Sequence, residues 1–132
     1  MADTPGVKFD TSKLRLDLIP PELEIAVAAA LTYGAAKYAA RNWEKGFDRG
    51  RAYAAARRHL LAYWAGEDLD LETGLPHTWL AACEVAFLLT FEARGIGADD
   101  RGPKADLTQD LAVAYVKRAL ERLEASRVGA SE

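Results

Sequence analysis

Residues 77–94 read HTWLAACEVAFLLTFEAR, and the fold is decided there. Leu80, Phe87, Leu88 and Phe91 recur at helical spacing, the pattern of a helix with one side in a core. Pro76 precedes the stretch and Gly95 follows it, which are start and stop signals for such a helix. The spacing therefore predicts a helix over 77–94. The same signs recur on either side. Pro20 and Pro21 lead into Glu22 and Glu24, residues suited to a first turn and to its positive dipole end. They predict a helix over 21–40 with Leu23, Val27, Ala30, Leu31, Gly34 and Tyr38 facing the core. RAYAAARRHLLAYWAG predicts a helix over 51–66, in which Ala52, Ala55, Ala56 and Ala62 leave a smooth surface for close approach and Gly66 is the stop. Val113, Val116, Leu120 and Leu123 predict a fourth helix over 107–127.

Composition supports an all-α reading. Alanine makes up about a fifth of the 132 residues, while Val and Ile are scarce. The length fits one ordinary domain, so the expected architecture is a helical bundle of about four helices. Residues 1–94 are expected to form the main domain, beginning with an arm over 1–19. Residues 95–106, GIGADDRGPKAD, are expected to be a flexible linker. Residues 107–132 are expected to be a C-terminal helix packing on the bundle or on a partner subunit.

With 50% hydrophobic and 28% charged residues the chain is globular in type, and it lacks the run of about 18 apolar residues that a membrane span needs. Seventeen basic against 20 acidic residues give a net charge of -3, which argues against nucleic acid as the main partner. Free nucleotides remain compatible, because a local basic pocket suffices for them. A single cysteine, Cys83, lies in an apolar stretch and reads as a small core residue of a reducing compartment. The N-terminus has no signal-peptide pattern, and the cytoplasm is the expected location.

The densest polar signal runs from His59 to His77, where two histidines and four carboxylates, Glu67, Asp68, Asp70 and Glu72, fall within 19 residues, with Glu84 following. Carboxylates with occasional imidazole suit Mg²⁺ or Mn²⁺, ions that commonly accompany phosphate groups. His77 and Glu84 share a helix face but stand about 10 Å apart along its axis, so an ion must be held between elements, or several ions must occupy the groove. Each residue also has a plainer reading. Asp68, Asp70 and Glu72 alternate with leucines as the solvated side of a loop would, His59 suits a core histidine, and His77 suits a helix start. A calcium loop is excluded, since Thr73 stands in place of the turn glycine and Trp79 in place of the last carboxylate.

A second group closes the first helix. Lys37 and Arg41 are four residues apart and could clamp phosphate oxygens from one helix face. Asn42 and Trp43 could meet a base, although Trp43 also reads as a buried ring beneath a basic turn. Arg57 and Arg58 add charge from the second helix. No nucleophile elbow, P-loop or dinucleotide glycine pattern occurs, which leaves metal-assisted attack by water.

Taken together, F9-D-T-S-K13-L-R15-L-D-L-I-P20, Y33-G-A-A-K37-Y38, R41-N42-W43-E-K-G46, R58-H59, G66-E67-D-L-D70-L-E72-T-G74 and H77 resemble the phage and bacterial dATP/dGTP diphosphohydrolase domain family over about residues 8–94. That family is related to the all-α MazG-like nucleotide pyrophosphohydrolases, and the chain is similar to the MazZ group of phages that replace adenine by 2-aminoadenine. The resemblance implies cleavage of a purine deoxynucleoside triphosphate, dGTP with GTP or dATP as further substrates, to monophosphate and pyrophosphate. It implies dGMP for 2-aminoadenine nucleotide synthesis, a homo-oligomer (dimer or tetramer) and the host cytoplasm as the place of action. The common MazG pattern, E-E-x-x-E on one helix and E-x-x-D on the next, is not present here, where the equivalent part of the second helix reads R57-R58-H59-L-L-A-Y63.

Carried over by position are Lys13, Arg15, Lys37, Tyr38, Arg41, Asn42, Trp43, His59, Glu67, Asp70 and His77. The resulting expectation is that His59, Glu67, Asp68, Asp70, His77 and Glu84 hold two or more Mg²⁺ or Mn²⁺ ions. Glu67, Asp70 and Glu84 serve the chemistry, and Lys13, Arg15, Lys37, Tyr38, Arg41, Asn42, Trp43 and Arg58 bind substrate. The alternative is a noncatalytic nucleotide-binding regulatory module.

Overall fold

The computed structural model describes residues 3–131, so residues 1–2 of the expected arm and residue 132 of the expected C-terminal helix lie outside the described residues. Among the described residues there are four α-helices and no strand: α1 Pro21–Lys37, α2 Arg49–Trp64, α3 His77–Arg94 and α4 Asp110–Ser131. Short 3₁₀ turns cover Leu16–Leu18 and Asn42–Lys45. The chain divides into two compact units, Met1–Arg101 and Gly102–Glu132.

In the first unit α3 packs against both α1 and α2. The contact faces are built from small residues: Ala26 and Ala30 on α1, Ala52 and Ala56 on α2, Ala81 and Cys83 on α3 are all buried. Short side chains let helix axes approach closely, and the bulk that fills the remaining space comes from one aromatic group. Phe91 is fully buried; Trp43 stacks on Phe87 at 5.1 Å between ring centroids, and Phe47 meets Phe91 edge-on at 5.0 Å. Offset and edge-on pairs of this kind contribute about 1 kcal/mol each beyond their buried area.

Three expectations change. Leu23 and Tyr38, expected in the core, are 47% and 66% exposed; α1 ends at Lys37, before 40, and the chain turns away through Arg41, which has a left-handed φ of 61°. Secondly, α2 begins at Arg49 rather than 51 and takes Gly50 into its first turn. The Gly50 N–H donates to the Asp100 carboxylate at 2.7 Å, so a carboxylate from beyond α3 caps α2 and a glycine there no longer breaks the helix.

The third change concerns the segment after α3. Its first half is fastened to the start of α2: Arg49 N–H donates to the Ala98 carbonyl at 3.0 Å, and the Arg49 guanidinium lies 3.6 Å from Asp99. The two units divide between 101 and 102, inside the expected linker. In the second unit, α4 starts three residues later than expected and runs to Ser131. Val113, Val116, Leu120 and Leu123 on it are exposed.

Candidate functional site

Helix α2 ends as its glycine foretells. Gly66 takes a φ of 102°, its N–H donates to the Tyr63 carbonyl, and Glu67 N–H donates to the Ala62 carbonyl, the paired bonds of a left-handed helix stop. The next residues are not a loose acidic loop. Asp70 N–H donates to the Leu75 carbonyl at 2.8 Å and His77 N–H to the Asp68 carbonyl at 3.0 Å, with Leu69 bridging antiparallel to Pro76. A turn over 70–74 closes this small hairpin, in which Thr73 N–H donates to Asp70 Oδ2 at 2.9 Å. The alternation of acid and leucine leaves Asp68, Leu69, Leu71 and Glu72 exposed, while Asp70 is half-buried.

The hairpin delivers Asp70 to two histidines from different helices. His59 lies midway along α2 and His77 is the first residue of α3; their Nδ1 atoms are 2.9 Å apart. One ligand-type atom each from His59, Asp70 and His77 lies within 4.8 Å of the others. His77 is buried, and its Nε2 lies 2.6 Å from Glu67 Oε2. Burial holds the His59 imidazole below its ordinary pKa, with Asp70 acting in the opposite direction. Burial works against the Asp70 carboxylate, but the Thr73 hydrogen bonds and the two histidines leave it below the usual carboxylate range.

This donor set fits a divalent ion. Two imidazole nitrogens about 2.1 Å from one ion and at right angles to each other lie about 3 Å apart, which the Nδ1 separation matches. Two nitrogens and one carboxylate are donors that divalent first-row metal ions accept, a set less rich in oxygen than Mg²⁺ prefers. Of the six residues expected as ligands, His59, Asp70 and His77 form the cluster found among the described residues, while Glu67, Asp68 and Glu84 are outside it. Glu67 meets His77, Asp68 contributes its carbonyl to the hairpin, and Glu84 is two turns further along α3.

His59 and Asp70 face an open cleft of about 1240 Å³. Its lining includes Lys37, Tyr38, Arg41, Asn42, Trp43, Arg58 and Glu84, so nine of the expected site residues share one depression, these seven together with His59 and Asp70. Glu84 is largely withdrawn from water and burial pushes its carboxyl up to about 7, with Arg58 pulling it the other way. Cys83 is also on the lining, its thiol pushed up to about 12 by burial, which leaves it without thiolate character. The Trp43 ring, besides stacking on Phe87, has the Arg94 guanidinium 5.7 Å from its centroid. Lys37 Nζ is 2.7 Å from Glu72 Oε1, and that contact raises the lysine pKa.

Lys13 and Arg15 are not brought to the cleft. Both are exposed, and Arg15 is paired with Asp17 at 2.7 Å. Conversely, Arg51, Thr73 and Asp100 line the cleft without having been singled out. Arg51 is seven residues before Arg58, nearly the same helix face, and Asp70-x-x-Thr73 has the spacing of a side-chain-capped turn; both signals were in the sequence. Asp100 had none, because its partner is 50 residues away.

Residues 3–101 match the family described as dATP/dGTP diphosphohydrolase, N-terminal. The chain is 38% identical over 96 residues to a dATP/dGTP diphosphohydrolase of Salmonella phage PMBT28, an alignment that covers 73% of this chain and 33% of the relative. The chain thus spans about a third of that relative's length. No solved structure matches it.

Proposed function

Since the chain belongs to the dATP/dGTP diphosphohydrolase N-terminal family, we propose that it hydrolyses a purine deoxynucleoside triphosphate, dGTP first, to the monophosphate and pyrophosphate. The observation that carries this reading is the His59, Asp70 and His77 cluster beside a cleft lined by Lys37, Arg41, Arg51 and Arg58. A phosphate chain needs both features.

His59, Asp70 and His77 would hold a divalent first-row metal ion such as Mn²⁺, since their donors mix imidazole with carboxylate. Such an ion supplies positive charge to phosphate oxygens and makes water more acidic. The protein's own groups do the rest. Lys37, Arg41, Arg51 and Arg58 bind the phosphate chain and offset charge that builds on it. Water adds its oxygen to the α-phosphorus, the α–β bridging P–O bond breaks, and pyrophosphate leaves. Glu84 accepts the water's proton, a task for which a carboxyl near neutrality is suited. The resemblance supports a homo-oligomer acting in the cytoplasm, with dGMP as a precursor of 2-aminoadenine nucleotides. Exposed Ile25, Leu61 and Trp64 supply apolar surface for self-association.

A second reading draws on the length of the relative: with a third of that protein matched, the chain could be its nucleotide-binding module without turnover. One experiment separates the two. The protein is given each common ribo- and deoxynucleoside triphosphate with Mn²⁺, and products are identified by chromatography. Multiple turnovers yielding dGMP and pyrophosphate support the hydrolase, whereas one nucleotide bound per site without product supports the module.

A further inference from the structure

Glu67 stands one residue past the helix stop of α2, and the left-handed Gly66 determines where the chain leaves the helix. From there its carboxylate reaches His77 Nε2 at 2.6 Å, while the Asp68 carbonyl accepts the His77 backbone N–H at 3.0 Å. The His77 side chain is 4% exposed, so Glu67 and the Asp68 carbonyl, rather than bulk water, are its partners in the folded chain.

We infer that Glu67 is a positioning residue that acts through His77, fixing the imidazole proton on Nε2 so that Nδ1 presents a lone pair toward His59 and Asp70. A neutral imidazole carries one N–H, and a carboxylate can only accept. Their short contact therefore places the proton between Nε2 and Glu67, and the carboxylate charge strengthens that hydrogen bond. Nδ1, 2.9 Å from His59 Nδ1, is then an acceptor and a metal donor. Without the carboxylate, the proton is free to occupy Nδ1 and block that donor. A carboxylate behind a ligating histidine acts in this way in metal sites generally. The role of Glu67 rests on the metal-site reading above, and it moves Glu67 from ligand to support.

The test uses the full chain, labelled with ¹⁵N-histidine and free of metal, followed by titration with Mn²⁺ alone. Two histidines are present, and a His59→Gln variant assigns their ring nitrogens. Wild-type protein is expected to show His77 with a protonated Nε2 and a bare Nδ1. Glu67→Ala is expected to lose this fixed pattern and to bind Mn²⁺ about 10- to 100-fold more weakly. Glu67→Gln, whose amide oxygen still accepts, keeps the tautomer and loses less, and it carries the test if the alanine variant fails to fold. An unchanged His77 tautomer in Glu67→Ala overturns the inference. So does a Glu67→Gln variant that loses Mn²⁺ as completely as Asp70→Asn, since Glu67 is then a direct ligand. Wild-type protein that binds no Mn²⁺ sinks the metal-site reading itself, whereas Mn²⁺ binding indifferent to Glu67 sinks only the role assigned here.

Discussion

Lys37, the last residue of α1, and Glu72, in the hairpin between α2 and α3, form a 2.7 Å ion pair, and both line the cleft. Exposed pairs of this kind add little to stability, so its consequence is for binding. On the proposed function, a triphosphate that reaches Lys37 meets the like charge of Glu72, and the carboxylate competes with it for the same ammonium.

Glu72→Gln is accordingly expected to lower KM for dGTP about threefold, with kcat nearly unchanged. Lys37→Ala should raise KM about tenfold. Steady-state kinetics on both variants decide the matter; equal KM values in Glu72→Gln and wild type would remove the competition.

With Glu84 as the proposed base, stability and activity are expected to depend on pH with opposite signs. Its carboxyl is pushed up to about 7 by burial, so between the ordinary carboxyl range and about 7 the folded chain holds a proton that the unfolded chain has lost. Stability therefore falls as pH rises through that window. Replacing it by a neutral isostere, Glu84→Gln, should flatten this slope and make the variant more stable than wild type at pH 8, by no more than about 2 kcal/mol given partial solvent access. Activity moves the other way, because the base must be free of its proton. Wild-type kcat is expected to rise through pH about 7 and then level, and Glu84→Gln to lose that limb. Urea unfolding at pH 5 and pH 8, with a kcat profile over the same range, measures both.

Helix α3 was legible to the residue, because its apolar spacing and the Pro76 and Gly95 limits are local signals. The start of α2 was not, since Gly50 is helical only where Asp100 caps it, and no window around residue 50 contains residue 100. The site divides along the same line. His59, Asp70 and His77 were visible as donor types. Their convergence, and the exclusion of Glu67 from the cluster, depends on a helix stop and a hairpin that set direction rather than spacing. Lys13 and Arg15 show the converse: a motif in sequence that the first unit leaves exposed, away from the cleft.

Asp70→Asn keeps the size of the side chain and its ability to accept the Thr73 N–H, yet removes the charge from the cluster with His59 and His77. Pyrophosphate release from dGTP is expected to fall on the order of a hundredfold or more, with the helical circular dichroism unchanged. Near-normal turnover, followed by a pyrophosphate-coupled assay, would take Asp70 out of the mechanism.

The aromatic group beneath the cleft depends on two glycines that pass one another. A Cβ on Gly97 would sit 2.5 Å from the Phe47 carbonyl oxygen, and one on Gly46 would sit 2.7 Å from Gly97 N, with both residues at positive φ. Gly95 also has positive φ but open space around it. The two penalties can therefore be separated. Gly95→Ala carries only the left-handed backbone cost of about 1 kcal/mol, whereas Gly97→Ala adds a clash with backbone that cannot yield without moving Phe47 off Phe91. About 3 kcal/mol of lost stability is expected for Gly97→Ala, together with weaker dGTP binding, because Phe47 and Gly46 line the cleft. Urea midpoints for the two variants, measured side by side, test the difference; equal losses would mean that the Gly97 contact with Phe47 is not what fastens this segment to the start of α2.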